Sequence, residues 1–238
     1  MESRKYLCID QKSFYATVEC VDRGLDPMTT DLVVADPERS ENTICLAVSP
    51  SLKAKGVTNR CRVKEIPKHL KYITAVPRMQ LYIDCAAAIH GVFLKYIAPE
   101  DIHTYSIDES FLDVTPYLKL YKMTARELAK TIIDDVRNTV GTVSTCGIGT
   151  NLYLAKIALD IHAKHAADFI AELDEESYRE KLWDHKPLTD FWQIGEGKAS
   201  RLRNRGITTM RDIAMTHEDF LYNWFGIDAE LLIGQTEV

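Results

Sequence analysis

The sequence predicts an α/β (α+β) fold, in which helices pack on one face of a mixed sheet and a separate helical unit follows. Up to residue 165, short apolar runs alternate with longer segments whose apolar residues recur at helical spacing. After residue 165 only helical patterns occur, so no further strand is expected there. A polar and basic segment, residues 36–73, interrupts the first pattern and is expected to form an inserted layer.

The elements follow in an order that suits such a sheet. The predicted strands are residues 6–9, 32–35, 43–48, 73–76, 102–107, 110–114 and 143–147. The predicted helices are residues 13–21, 79–97, 124–140, 151–163, 175–183, 198–205, 210–214 and 218–225. Thr124 and Asn151 are expected N-caps, Glu127 completes a capping box, and Pro99 ends the second helix. No closing element is expected after residue 233.

Composition favours a chain with a buried core and no membrane segment. Hydrophobic residues make up 46% of it, an ordinary globular value. No apolar run reaches the roughly 18 residues of a membrane helix, and the start does not resemble a secretory signal. The cysteines are scattered without a C-x-x-C pair, which predicts reduced, mostly buried thiols and a cytoplasmic protein.

Charge is distributed unevenly, although the formal net charge is −6. Residues 49–72 contain seven Lys and Arg against Glu65 alone, and therefore carry +6 while the remainder carries −12. A second basic cluster contains no acid and consists of Lys198, Arg201, Arg203 and Arg205. Concentrated basic surfaces can bind phosphates on an acidic chain, because local fields dominate at physiological screening lengths. Two solvated loops are the equally open alternative.

Three acidic residues occupy positions where a sheet could bring them together. Asp10 closes the first strand, and Asp108 with Glu109 lies at the bend between two later strands. Clustered carboxylates repel one another, a cost that divalent cations offset in phosphoryl-transfer sites. Each acid alone is more often a helix cap or part of a solvated turn, so spacing alone favours that interpretation over a metal site.

Three ordered motifs resemble those of the Y-family, or translesion, DNA polymerases. Residues 10–19 read DQKSFYATVE, residues 106–113 read SIDESFLD, and residues 147–151 read GIGTN. The third is followed by Leu154, Ala155, Lys156, Ala158 and Asp160. The order and separation of the motifs agree with the family over nearly the whole chain. The subgroup that the sequence resembles is the UmuC-like polymerases of Gram-positive bacteria and their mobile elements.

The resemblance implies a right-hand polymerase with a mixed palm sheet, small fingers and a helical thumb. The palm would be residues 1–10 and 75–165, the fingers residues 11–74, and the thumb residues 166–238. The implied activity is template-directed synthesis opposite damaged bases during the SOS response to DNA damage. Primer–template DNA and a deoxynucleoside triphosphate would be the substrates.

The family pattern also implies the residues of the site. Asp10, Asp108 and Glu109 would be catalytic and would bind two Mg²⁺ ions, with Mn²⁺ as an alternative. The main-chain carbonyl of Gln11 would contribute to metal binding. Tyr15 would exclude ribonucleotides, because a ring packed beneath the sugar leaves no room for a 2′-hydroxyl.

Other nucleotide contacts follow from the same resemblance. Phe14 would hold the ring of Tyr15, and Lys156 would contact the triphosphate as a point charge. The family's Ser-Tyr-x-x-Arg pattern is here Ser-Pro-Ser-Leu-Lys, so Lys53 replaces a bidentate Arg and Pro50 replaces the Tyr. Lys53 is therefore carried over only as a weaker phosphate ligand, and Pro50 is given no role.

A helix-hairpin-helix is implied in the last third, where residues 194–199 read IGEGKA. Glycines allow main-chain N–H groups to approach phosphates closely. The predicted DNA-binding residues are Gly195, Gly197, Lys198, Arg201 and Arg203. Charge at these positions would bind DNA independently of its sequence.

The family's additional domain after the thumb, often followed by a sliding-clamp-binding peptide, has no counterpart among these residues. Weak DNA binding and low processivity are therefore expected. A non-catalytic relic that binds DNA or partner proteins is one alternative. A nucleotide cyclase or another palm-fold transferase is a second, since fold alone does not exclude it.

Overall fold

A computed structural model of the chain describes residues 4–36 and 38–238. Its strands are β1 (Tyr6–Gln11), β2 (Leu32–Val34), β3 (Ala47–Val48), β4 (Ile73–Ala75), β5 (Ile102–Thr104), β6 (Glu109–Asp113), β7 (Ser144–Gly149) and β8 (Ile170–Leu173). Its first six helices are α1 (Phe14–Asp22), α2 (Pro50–Ala54), α3 (Met79–Phe93), α4 (Thr115–Tyr121), α5 (Ala125–Val140) and α6 (Leu152–Ile157). The remaining helices are α7 (Glu175–Leu182), α8 (Glu196–Arg203), α9 (Met210–Ala214), α10 (Glu218–Phe225) and α11 (Ala229–Glu237).

The main sheet has five strands in the order β5-β6-β1-β7-β8. Strand β8 pairs parallel with β7, with Cys146 opposite Ile170 and Gly149 opposite Leu173. The expectation of no strand after residue 165 is therefore wrong. The segment Ile-Ala-Glu-Leu carries little strand preference of its own, and it is extended because the fully buried β7 offers it a hydrogen-bonding edge.

A smaller sheet has the order β3-β2-β4, with β2 antiparallel to β3 and parallel to β4. The strand predicted over residues 43–48 is reduced to its last two residues. Ile44 makes only an isolated bridge with Arg62 before it. A small apolar core of this region includes Val33, Val48, Leu52 and Ile66, and the inserted layer over residues 36–73 stays a prediction.

The chain divides into two compact units, and the boundaries fall within β1, β6, α5 and β7. One unit comprises residues 1–8, 111–126 and 146–238, and the other comprises residues 9–110 and 127–145. The assignment of palm, fingers and thumb to the ranges given above stays a prediction.

Two glycines allow α6 to pack directly against β7. A Cβ atom on Gly147 would lie 2.0 Å from the Ala155 carbonyl oxygen and 2.4 Å from the Leu159 nitrogen. On Gly149 it would lie 2.2 Å from the Ala155 nitrogen. The Asn151 side chain accepts a hydrogen bond of 2.8 Å from the Leu154 N–H, which confirms the predicted N-cap.

Several helix predictions need correction at their ends. Helix α3 ends at Phe93, before Pro99, and α6 is followed by a π turn at Ala158–His162 and a 3₁₀ turn at Ala163–His165. Helices α2, α4 and α11 were not predicted. Helix α11 is the closing element that the sequence pattern did not reveal, and its Ala229 and Leu232 join a core that contains Tyr178, Phe191 and Leu202.

The predicted state of the cysteines agrees with the structure. All six are free thiols, five of them buried and Cys85 partly buried. Among residues 4–36 and 38–238, no helix has both the length and the apolar character needed to span a membrane.

Candidate active site

The first and second motifs meet through their main chains. The Gln11 N–H donates a hydrogen bond of 2.9 Å to the Asp108 carbonyl oxygen. Asp10 precedes Gln11 at the end of β1, and Asp108 precedes the first residue of β6. Both aspartates are partly exposed. Residues 97 positions apart in the chain are thus held side by side at the ends of paired strands.

The β5–β6 turn fixes the orientation of Asp108. Its Oδ1 accepts a hydrogen bond of 2.8 Å from the Ser106 hydroxyl. The N–H groups of Tyr105 and Ser106 both donate to the Glu109 carbonyl oxygen, at 2.9 and 3.0 Å. Glu109 is the first residue of β6 and is 8% exposed, so only Asp108, and not Glu109, belongs to the bend.

Buried polar contacts hold Gln11 at the end of β1. Its Oε1 accepts hydrogen bonds of 2.9 Å from the hydroxyls of both Thr142 and Ser144. The Thr145 hydroxyl donates to the Asp10 carbonyl oxygen at 3.3 Å. Sequence reasoning did not identify these hydroxyls; the polar run Thr142-Val143-Ser144-Thr145 at the start of β7 was the available signal. The side-chain oxygen of Gln11 thus binds protein hydroxyls. The predicted metal ligand is a different atom, the main-chain carbonyl oxygen of Gln11.

The donor chemistry of this region suits a hard divalent cation. Asp10, Asp108 and Glu109 provide carboxylate oxygens and Gln11 a main-chain carbonyl, which are the ligand types that Mg²⁺ prefers. In the described part of the chain, however, no three His, Cys, Asp or Glu side chains are grouped so that they could hold a metal ion. The main-chain positions are adjacent, and the joint binding of a metal by these side chains stays a prediction.

A cavity opens beside Asp108. It has a volume of about 390 Å³ and includes Asp108 and Gln11 in its lining. Helix α3 contributes Ile83, Ala87 and Phe93, which make that wall apolar. A mostly apolar cleft with a few polar groups at one side is a common form of a substrate site.

The aromatic pair of the first motif follows directly after this junction. Ser13 has a left-handed backbone (φ 50°), so the chain turns sharply from β1 into α1. Phe14 is buried, and its ring lies 5.7 Å from that of Tyr15 at 45°. The pKa of Tyr15 is raised by burial and, to a smaller extent, by the negative charge of Asp108. The Tyr15 ring therefore lies within electrostatic range of the predicted catalytic carboxylate.

A second tyrosine, which the sequence did not single out, supports Tyr15. The Tyr82 ring is fully buried and stacks on the Tyr15 ring at 4.5 Å and 18°. The Tyr82 hydroxyl donates a hydrogen bond of 2.7 Å to Glu19 Oε1. Glu19 also accepts from Arg78 at 3.0 and 2.7 Å, and from Arg23.

This network determines the ionisation of Glu19. Burial opposes the charged carboxylate, but hydrogen bonds from Arg78, Tyr82 and Arg23 outweigh it, so the pKa of Glu19 lies below its ordinary value of 4.5. The same contacts raise the pKa of Arg78. Glu19 is fully buried, and hydrogen bonds to a charged group contribute about 1.5–3 kcal/mol each. Glu19 is therefore an ionised carboxylate in the folded protein.

We expect Glu19→Gln to lower the free energy of unfolding by about 3 kcal/mol near neutral pH, because it removes one partner of a buried charge network. A lowered folded-state pKa contributes stability above the unfolded-state pKa and loses it as the pH falls through the folded-state value. The difference in the free energy of unfolding between wild type and Glu19→Gln should therefore be largest above pH 4.5 and decrease below it. Urea midpoints measured from pH 7 to pH 3 test this, and a difference that does not vary with pH would contradict it.

The two predicted phosphate-binding lysines have different surroundings. Lys53 is exposed on the short helix α2. Lys156, in the other unit, is 7% exposed, and its ammonium lies 3.1 Å from Asp160 Oδ2. Lys164 also binds Asp160, at 2.7 Å. Lys156 is thus not a solvated helix lysine, and its charge is held by a fixed carboxylate.

The predicted DNA-binding residues lie at and after the start of α8. Gly195 precedes this helix, and a Cβ atom on Gly195 or Gly197 would meet no atom within 4 Å. The space beside both glycines is therefore open, as a close phosphate contact would require.

The basic cluster of α8 is less uniform than its sequence indicates. Lys198 lies 3.4 Å from Asp228, and Arg203 binds Glu196 at 3.0 Å. Arg201 donates to the Trp224 carbonyl oxygen and stacks over the Phe225 ring at 4.6 Å. Folding therefore brings acidic and aromatic partners to residues that form an all-basic cluster in the sequence.

Comparison with known proteins places this geometry among polymerase relatives. Residues 9–160 match the family model described as the impB/mucB/samB family. The Bacillus subtilis (strain 168) protein UvrX, named for UV-damage repair, is 36% identical over 94% of this chain and 53% of its own length. DNA polymerase IV 2 of the same organism is 32% identical over 98% of this chain and 55% of its own length.

Solved structures show the same fold. The crystal structure of DinB from Sulfolobus solfataricus superposes with a TM-score of 0.79 at 22% identity, over 98% of this chain and 67% of that chain. An insertion ternary complex of Dbh DNA polymerase gives a TM-score of 0.83 at 22% identity, again over 98% and 67%. The α/β fold with mixed sheets is thereby confirmed. The chain spans about half the length of the curated relatives it matches.

Proposed function

Because the chain belongs to the impB/mucB/samB family of Y-family (UmuC- and DinB-like) polymerases, we propose that it is the catalytic part of a lesion-bypass DNA polymerase. The observation that carries the proposal is the hydrogen bond of 2.9 Å between Gln11 and Asp108, which unites the first two motifs. The reaction is attack of a primer 3′-hydroxyl on the α-phosphate of a deoxynucleoside triphosphate, with pyrophosphate leaving. Positioning and electrostatics dominate such transfers.

In this proposal Asp10, Asp108, Glu109 and the Gln11 carbonyl hold two divalent ions, Mg²⁺ or in its place Mn²⁺. When bound, such ions stabilise charge on the attacking and leaving oxygens. Ser106 orients Asp108 through its hydrogen bond of 2.8 Å. Thr142 and Ser144 keep Gln11 in place, so its carbonyl is presented by a fixed strand end.

The remaining roles concern the substrates. Phe14 and Tyr15 lie beneath the deoxyribose, and Tyr15 rejects a 2′-hydroxyl by contact. Lys53 and Lys156 bind the triphosphate. Primer–template DNA contacts Gly195, Gly197, Lys198, Arg201 and Arg203. We further propose a sliding clamp as a partner and the cytoplasm as the compartment.

Primer extension tests this function. The protein is incubated with a primed template containing an abasic site, the four deoxynucleoside triphosphates and Mg²⁺, and products are resolved by length. Incorporation that requires the metal supports the proposal. DNA binding without incorporation would favour the non-catalytic relic. A cyclic nucleotide formed without a primer would indicate a cyclase instead.

A further inference from the structure

The Tyr15 ring owes its position to a neighbour that the first and second motifs do not contain. Tyr82 lies on α3, is 0% exposed, and stacks nearly parallel beneath Tyr15 at 4.5 Å. A buried ring packed face to face restricts both tilt and translation of the ring above it. Any displacement of Tyr82 must therefore displace Tyr15 or leave a gap beneath it.

The position of Tyr82 depends in turn on Glu19. The Tyr82 hydroxyl donates a hydrogen bond of 2.7 Å to Glu19 Oε1. This bond restrains the Tyr82 ring from moving within its own plane. Glu19 is the last residue of the first motif, yet the family resemblance gives it no role. It lies on α1, the helix that also carries Tyr15. Tyr15 and Tyr82 are therefore linked in two ways. Their rings stack directly, and Glu19, which shares α1 with Tyr15, accepts the Tyr82 hydrogen bond.

Glu19 is itself immobilised on both of its oxygens. Arg78 donates from Nε to Oε1 at 3.0 Å and from Nη2 to Oε2 at 2.7 Å, a bidentate arrangement. Arg23 donates to Oε2 from the following turn of α1. Arg78 also binds Asp22 at 2.6 Å and lies directly before α3. A fully buried carboxylate with so many donors has a single orientation, because any rotation would leave buried charges unpaired.

We propose that Glu19 and Arg78 are positioning residues for sugar selection, acting through Tyr82 on Tyr15. This inference rests on the proposed function, since it assumes that Tyr15 contacts the deoxyribose. To exclude a single hydroxyl group by steric contact, the position of the Tyr15 ring must be fixed to within a fraction of an ångström. A misplacement of about 1 Å at a site of this kind can change a rate about 100-fold.

The test measures kcat/KM for a deoxynucleotide and for the matching ribonucleotide in primer extension. Tyr15→Ala defines full loss of selection. Tyr82→Phe removes only the hydroxyl that reaches Glu19, while Glu19→Gln and Arg78→Lys weaken the bidentate pair. We expect each of these three variants to lower the deoxy-to-ribo ratio roughly tenfold. Most of the change should be a gain for the ribonucleotide, an outcome that general loss of folded protein would not produce.

A matched control and a double variant separate positioning from stability. Tyr96→Phe removes a comparable tyrosine–carboxylate hydrogen bond, 3.0 Å to Asp135, in the segment that follows α3, and should leave the ratio unchanged. Glu19→Gln combined with Tyr82→Phe should change the ratio no more than the larger single change, because both act through one contact. If Glu19→Gln fails to fold, Tyr82→Phe and Arg78→Lys still decide the matter.

The outcomes distinguish this inference from the proposed function. A ratio unchanged in Tyr82→Phe and Arg78→Lys, but lowered in Tyr15→Ala, would overturn the positioning role and leave the polymerase assignment intact. Additive effects in the double variant would also overturn it. Absence of primer extension by the wild-type protein would overturn both. A ratio unaffected by Tyr15→Ala would overturn this inference and the proposed role of Tyr15, and would leave the polymerase assignment intact.

Discussion

Primer extension by Asp108→Ala is expected to fall at least about 1000-fold in kcat/KM, since a residue that stabilises transition-state charge contributes on that scale. Asp108 stands at the junction with Gln11, and its carboxylate is oriented by Ser106. Alanine removes an oxygen ligand and a negative charge without filling new space. Because Asp108 is partly exposed, the substitution should leave the free energy of unfolding within about 0.5 kcal/mol of the wild-type value.

The measurement is single-nucleotide incorporation under single-turnover conditions, with the same DNA concentration for each variant. Asp134→Ala is the matched control, since Asp134 is an exposed aspartate of α5 that pairs with Lys130. It should retain full activity. Incorporation by Asp108→Ala at the wild-type rate would contradict the role of Asp108, provided that the circular dichroism spectrum of the variant matches that of the wild type.

The second large effect is on folding. Gly147→Ala should lower the free energy of unfolding by more than about 3 kcal/mol, beyond the usual range for overpacking, because the clash involves main-chain atoms. The new Cβ would lie 2.0 Å from the Ala155 carbonyl oxygen and 2.4 Å from the Leu159 nitrogen. Neither atom can move without displacing α6 from β7.

Thermal or urea denaturation measures this loss. Gly197→Ala is the matched control, because its Cβ would meet nothing within 4 Å and the position lies in α8. Alanine at a helical position is expected to be neutral or to stabilise by up to about 1 kcal/mol. Similar stabilities for the two variants would show that β7 and α6 do not pack as closely as described.

Local sequence patterns were sufficient for most of the main elements. Helices α1, α5 and α10 were predicted nearly to their ends, because their apolar residues recur at helical spacing over two or more turns. Strand β8 and helices α4 and α11 were missed. Their segments are short or weakly patterned, and they are ordered by neighbours such as β7 and the core around Tyr178.

The residues of the candidate site likewise fall into two groups, those that sequence motifs pointed to and those that only the structure revealed. Motifs in the sequence pointed to Asp10, Asp108 and Tyr15, because these residues occur in recognisable local strings, and their chemical roles stay predictions. Their supports were not predictable. Tyr82 and Ser144 are ordinary residues locally, and their importance depends on contacts with Tyr15 and Gln11 across long stretches of chain.

Residue types and the periodicity of helices and strands are local properties. The amino-acid order alone therefore predicted the α/β class, which the structure confirms, together with the motif order. It also pointed to the acidic residues, whose roles stay predictions. Close packing between segments that are far apart in the chain cannot be predicted from a local pattern. It decided that Glu19 is a buried ionised carboxylate, that the cations of α8 have partners, and that β7 tolerates only glycine at residue 147. The physical reason is that burial and hydrogen-bond partnership exist only once the chain has folded.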